Sequence, residues 1–223
     1  MKNRYDNLLR KYNQDIIELC PYNPILFREC AKLIAKHHSS ATRVLELGSG
    51  EGDSALPVLE GTNARLDLLD ISPEMNEIAA EKLSKYAKRI RFICRDAHDY
   101  LRESESYHII YSAWTVHNFS QENKKELLET IYKNLADDGI FILLDKVYPA
   151  GDREALLKHQ NDRYKRFLAP EAAQAIIDHE REDASDEYRM DEAPFLDLMK
   201  HAGFSKIEIV DRIERDVLLL ASK

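Results

Sequence analysis

The sequence predicts an α/β fold, a doubly wound αβα sandwich, and three observations predict it. Short apolar runs alternate with amphipathic helical stretches from residue 44 to residue 147. The runs are apolar nearly throughout rather than at every second residue, as in parallel strands buried on both faces. Three of the seven glycines fall at Gly48, Gly50 and Gly52, directly after the first run. Glycine weakens regular structure, so such a cluster marks a backbone that turns sharply or approaches a ligand closely.

The elements follow in order. Residues 3–20 and 24–37 carry helical periodicity, broken by Cys20-Pro21-Tyr22-Asn23-Pro24. RVLELG is the first strand, and a helix around 53–60 follows, limited or kinked by Pro57. ARLDLLD is the second strand. Ser72-Pro73 then opens a helix to about Tyr86, with serine as N-cap and proline in the first turn. IRFICRD is the third strand, a weak helix lies near 97–103, and YHIIYSA is the fourth strand. SQENKKELLETIYKNLA is an amphipathic helix with Gly139 just past its end, and GIFILLDKV is the fifth strand. After Val147 the alternation stops. Residues 152–189 are helical and polar, and a last helix over 192–201 stops at Gly203. SKIEIVDRI and RDVLLLASK have only Glu214 between them, which forces an antiparallel pair.

The 223 residues suffice for one domain with a full core. No apolar run approaches the roughly 18 residues of a membrane span, and the N-terminal stretch has no apolar core like that of a signal peptide. Cys20, Cys30 and Cys94 show no CxxC pattern, as expected of idle thiols in a reducing cytosol. The expectation is therefore a cytoplasmic protein. The net charge of −8 disfavours a main task of gripping nucleic-acid phosphates. Eight carboxylates face two arginines between Asp178 and Glu192. That stretch reads as a solvated helix end and loop, or as an acidic rim that welcomes a cationic substrate.

In an open α/β sheet the ligand lies beyond the carboxyl ends of the strands, where the glycine loop sits. A phosphate-binding Gly-x-x-x-x-Gly-Lys-Ser/Thr loop needs a lysine, which is absent. A dinucleotide loop, Gly-x-Gly-x-x-Gly, would place Asp53 at its third glycine, the wrong charge beside a pyrophosphate. Glu/Asp-x-Gly-x-Gly-x-Gly is filled completely by Glu46, Gly48, Gly50 and Gly52. Asp70 ends the second strand 20 residues past Gly50, where an acid can accept both hydroxyls of a ribose. Asp96 ends the third.

With these motifs the sequence resembles the class I S-adenosylmethionine (SAM) methyltransferases, in the branch acting on small molecules or modifying tRNA. The resemblance is strong over residues 40–147 and holds in outline over 190–223. It implies a Rossmann-like seven-stranded sheet, order 3-2-1-4-5-7-6, with strand 7 antiparallel. It also implies a helical lid over 1–38, a SAM-binding core over 39–147, a helical cap over 148–190 and a C-terminal helix and hairpin over 191–223. SAM would be the cofactor and S-adenosylhomocysteine the product. Asp96 would take the adenine amino group and the Ala97 N–H a ring nitrogen. Ile71 and Met75 would pack on adenine and ribose or serve as ordinary packing. Glu46 would help hold the cationic end through water, and Ser49, Ser112 and Ala113 would complete the cofactor site.

Methyl transfer is an in-line displacement from a good leaving group, so such a protein mostly aligns two reactants and excludes water. SAWTVHNF (Ser112–Phe119) faces the methyl group in this fold and lacks the Asn/Asp-Pro-Pro-Tyr/Phe of DNA and amide methylases. His117 reads as a general base or as a histidine that caps the loop. Trp114 stacks on substrate or shields the sulfonium, or packs as a core contact. Tyr5, Tyr12, Tyr22 and Arg28 are lid candidates. RYKRF (Arg163–Phe167) reads as an amphipathic helix with Tyr164 and Phe167 inward, or as a nucleic-acid contact. His159, His179 and Glu180 lack metal-ligand spacing, so no metal is expected. The expected reaction is methyl transfer to a small molecule, without DNA or membrane partners; a homodimer is compatible with it. Alternatives are a tRNA-modifying enzyme of the same fold, including a carboxy-SAM synthase, and a non-catalytic SAM-binding module.

Overall fold

The structure is a computed structural model and describes residues 23–39, 42–104, 106–151 and 153–223. The lid candidates Tyr5, Tyr12 and Tyr22, the helix expected over 3–20, and Cys20 lie outside the described residues. In chain order the elements are α1 (Asn23–His37), β1 (Val44–Leu47), α2 (Ala55–Gly61), β2 (Leu66–Asp70), α3 (Pro73–Lys82), β3 (Ile90–Cys94), α4 (Ala97–Glu103), β4 (Tyr107–Ala113), α5 (Gln121–Asn134), β5 (Leu135–Lys146), α6 (Arg153–Phe167), α7 (Pro170–Asp183), α8 (Glu192–Ala202), β6 (Ser205–Ile213) and β7 (Asp216–Ser222). They build one seven-stranded sheet of order β3-β2-β1-β4-β5-β7-β6. Strands β1 to β5 pair in parallel, and β7 runs antiparallel to both β5 and β6. This is the expected seven-stranded Rossmann-like sheet.

Alternation along the strands feeds two apolar layers. Leu45, Leu47, Ile110, Phe141 and Leu143 face α5 and α8, packing on Leu127, Leu128, Ile131, Phe195 and Met199. Val44, Leu66, Leu68, Ile109 and Ile142 face α1 and α2, against Leu26, Ile34, Val58 and Leu59. Burial on both faces explains why the strands read as continuous apolar runs. The α6–α7 pair has its own small core of Tyr164, Ala173, Ile176 and Ile177.

Several local expectations change. Pro57 falls in the first turn of α2, where a missing N–H costs no helical bond. The helix α3 ends at Lys82, and a 3₁₀ stretch (Ser84–Arg89) carries the chain on to β3. Gly139 is no helix stop: α5 ends at Asn134, and β5 begins at Leu135 with a register shift before Ile140. Phe167 points outward at 60% exposure, while Tyr164 is buried. Glu180 and Asp183, expected in a solvated acidic stretch, are buried as well.

Candidate functional site

The carboxyl ends of β1, β2, β3 and β4 meet along one edge of the sheet, and the glycine loop crosses it. Gly48, Gly50 and Gly52 all take left-handed φ values, 69°, 49° and 81°. The Gly48 and Ser49 N–H groups both donate to Leu69 O, at 2.8 and 3.1 Å, which bends the loop over the end of β2. A methyl on Gly48 would lie 2.2 Å from Thr115 Oγ1, so the loop after β4 seats directly on this glycine. Thr115 Oγ1 lies 3.1 Å from Gly48 O, within hydrogen-bonding reach. Gly50 faces open space: nothing lies within 4 Å of the position a side chain would take.

Asp70 fastens the loop to β2. Its Oδ2 accepts from Gly50 N–H at 2.9 Å and its Oδ1 from Ser72 N–H at 2.8 Å. Burial raises the Asp70 pKa, against the pull of these backbone donors. A carboxylate has about four acceptor positions, so acceptor capacity remains beyond the backbone N–H groups of Gly50, Ser72 and Ile71. The next side chain, Ile71, is 46% exposed, an apolar surface beside that acid. Met75 is half-buried, and its N–H donates to Ser72 Oγ, closing the N-cap of α3. Asp96 caps α4: its Oδ1 accepts from His98 N–H at 2.9 Å and Asp99 N–H at 3.3 Å. Ala97 is the first residue of α4, where an N–H has no partner within the helix. Ser49 is buried, and its Oγ has no partner. Ser112 is turned into the sheet, donating to Leu47 O at 3.1 Å, and Ala113 is half-buried beside it.

Glu46 lies beneath the loop, fully buried. Tyr111 OH donates to its Oε2 at 2.7 Å, and Ser54 Oγ donates to Oε1. Its carboxyl is pushed up to about 8: burial raises it most, the Ser54 and Tyr111 bonds pull it back, and the charges of Asp70 and Asp53 add to the rise. Lys82 lies near this acidic rim, 2.8 Å from Asp53 and 3.5 Å from Glu51.

The loop after β4 carries Trp114 and His117. Trp114 has φ 47°, and its indole N–H donates to Asp216 Oδ1 at 2.8 Å. Its ring stands edge-on to Phe27 of α1, 5.1 Å between centroids. Arg28, the neighbouring lid candidate, is exposed. His117 is buried, with Nδ1 2.6 Å from Asp145 Oδ1 and Nε2 3.6 Å from Asp183 Oδ2. Beyond it lies a buried ionic cluster. Lys146 Nζ is 2.7 Å from Asp183 and 3.3 Å from Glu180; Arg215 pairs with Glu180 at 2.5 Å and donates to Tyr148 OH at 2.8 Å. Among the described residues, no group of three His, Cys, Asp or Glu side chains is placed to hold a metal ion. No helix among them is long and apolar enough to cross a membrane.

The structure thus brings Glu46, Gly48, Gly50, Asp70, Ile71 and Asp96 to the carboxyl ends of β1, β2 and β3, and sets Trp114 on the loop that closes over Gly48. Thr115, Asp145 and Asp216 were not singled out in the sequence, and Asp183 was read only as part of the solvated acidic stretch. Asp145 left a trace, as an acid ending an apolar strand. Thr115 and Asp216 meet their partners across 67 and 102 residues.

Comparison with known proteins agrees with this fold. Residues 44–139 match the family model described as a methyltransferase domain. Over those residues the chain is similar to methyltransferase domains, and its fold is shared with a solved SAM-dependent methyltransferase. Carboxy-S-adenosyl-L-methionine synthase of Shewanella halifaxensis is 28% identical over 153 residues, 66% of this chain and 62% of that protein. Demethylmenaquinone methyltransferase of Chlorobaculum tepidum is 24% identical over 186 residues, covering 81% of this chain and 73% of that protein. A provisionally assigned SAM-dependent methyltransferase of Methanococcus maripaludis superposes with a TM-score of 0.65 at 21% identity, covering 100% of this chain and 97% of that one. The chain spans less than two thirds of the length of the Shewanella protein.

Proposed function

We propose that this protein transfers a methyl group from SAM to a small-molecule acceptor. The observation that carries this reading is the set of acids around the glycine loop. The charges of Asp70 and Asp53 are close enough to raise the proton affinity of Glu46 beneath the glycine loop. Such a field opposes a pyrophosphate and favours a cationic nucleoside. The residues fit that ligand: Asp70 keeps acceptor capacity, Ser49 Oγ lacks a partner, and Ile71 exposes an apolar face.

The cofactor, when bound, supplies an activated methyl carbon and a neutral leaving group. Asp70 would hold the ribose hydroxyls, Asp96 and the Ala97 N–H the adenine edge, and Ile71 and Met75 its faces. Trp114 would wall the methyl side, and residues 148–190 would cap the acceptor pocket and keep water out. His117 holds the loop after β4 through Asp145. A base role for its Nε2 requires displacing Asp183, and a pH-independent loss of rate in His117→Gln would confine it to holding.

Calorimetry tests the reading. SAM and S-adenosylhomocysteine bind the purified protein, and Asp70→Ala weakens both by roughly ten- to a hundredfold, as loss of a charged hydrogen-bond pair implies. Equal affinity for NAD overturns it. Labelled methyl should then pass to a small-molecule extract and not to tRNA; binding without turnover on either pool would leave a SAM-binding module.

A second reading has one observation in its favour, the likeness to carboxy-SAM synthases. Such an enzyme needs a cation for the added carboxylate. Arg215 is buried among cap residues, but its guanidinium is already paired with Glu180 and Tyr148. A carboxylated nucleoside formed from SAM in cell extract, with no methylated product, would favour this reading.

A further inference from the structure

We propose that Asp216 is a positioning residue for the methyl-transfer site, fixing the Trp114 indole at the lip of the nucleoside crevice. This rests on the SAM reading above. Trp114 is the last residue before Thr115, which seats on Gly48, so it begins the loop that closes over the glycine turn. Its backbone is left-handed, φ 47°, one of three such non-glycine residues among those described. A bulky residue there is strained and persists only where its surroundings impose it. Three contacts do so: the Trp114 N–H donates to Leu144 O at 2.7 Å, Phe27 meets the ring edge-on, and Asp216 takes the indole N–H at 2.8 Å.

Of these, Asp216 is the costly one. It is the first residue of β7, beside the Arg215 turn, and it is half-buried at the end of the sheet. A strand needs no acid there. An acceptor aimed at an indole N–H fixes the ring's rotation, which packing alone leaves free. A ring so held presents a π-face that attracts a sulfonium and has no such attraction for the neutral thioether left after transfer.

Trp114 is the only tryptophan of the chain, so its fluorescence reports the site directly. Asp216→Leu should shift the emission of ligand-free protein and increase quenching by acrylamide, while Asp216→Asn, which keeps an acceptor oxygen, should not. By calorimetry, the ratio of SAM to S-adenosylhomocysteine affinity should fall roughly three- to tenfold in Asp216→Leu and in Trp114→Phe, and hold in Asp216→Asn. A merely structural aspartate would lower both affinities together and leave the ratio intact. An unchanged emission and ratio in Asp216→Leu overturns the proposal, as does loss of the ratio in Asp216→Asn should the leucine variant not fold. If wild-type protein binds neither nucleoside, the SAM reading fails, and the emission comparison still decides whether Asp216 holds the ring.

Discussion

Glu46 shows how a single side chain can set function against stability. Its carboxyl titrates near 8 in the fold, against an ordinary value of 4.5, chiefly because it is buried. Below about pH 4.5 it is protonated in both folded and unfolded chains and changes nothing. Above that the unfolded chain ionises while the folded one does not, so stability falls as pH rises from about 4.5 to about 8. The loss by pH 8 is on the order of a few kcal/mol. Glutamine keeps the size and can still pair with Ser54 and Tyr111. Glu46→Gln should therefore melt higher than wild type at pH 8 and alongside it at pH 4.5, by scanning calorimetry. It should also bind SAM more weakly, having lost the acid that answers a cation. Equal melting of the two proteins at pH 8 would show that Glu46 ionises freely. The acid is retained, on this argument, because the ligand recovers what burial costs.

At the scale of elements, the end of α8 is the sharpest case. Gly203 takes φ 115° at the helix C-terminus, and a side chain there would lie 2.7 Å from the Tyr132 ring of α5. Gly203→Ala meets both strain and overlap, and should destabilise by roughly 2–4 kcal/mol in urea titration. Loss below 1 kcal/mol would mean that α5 and α8 separate easily. This stop was legible because glycine after a periodic stretch has one common use. The same logic failed at Gly139, since tertiary pairing of Leu135 with Tyr107 extends the strand across it. The parallel, doubly covered sheet was legible too, because fully apolar runs require cover on both faces, whereas the strand order came from the resemblance. The glycine loop and Asp70 were readable as local spacing. The contacts of Thr115 with Gly48 and of Asp216 with Trp114 were not, since no period or motif links residues that meet only when strands align. Phe167 misled for a related reason: helical periodicity gives a face, but only α7 decides which side of α6 is covered.

The molecule as a whole is joined by the buried ionic cluster. His117 comes from the loop after β4, Lys146 from β5, Glu180 and Asp183 from α7, and Arg215 from the β6–β7 turn. The hairpin also reaches α6, where Glu214 pairs with Arg163 at 3.1 Å. Burial alone would raise Glu180 and Asp183, but the cations beside them hold both well below the usual carboxylate range, Glu180 at about 2. Depressed acids contribute stability that is present above their ordinary values and lost as pH falls through the folded ones. Acid unfolding should thus fall between about pH 4 and pH 2, with the α6–α7 pair released first, since it has only a small core of its own. Lys146 is the centre of the cluster, so Lys146→Met leaves two adjacent buried carboxylates without it. That should cost roughly 3–5 kcal/mol at pH 7. Adding Asp183→Asn should return more than half of the loss, because the second change removes the charge the first left exposed to repulsion. Urea titration of the two single variants and the double one closes the cycle. Additive losses would show that the cluster is a set of independent pairs, and that α7 is tied to the sheet by packing instead.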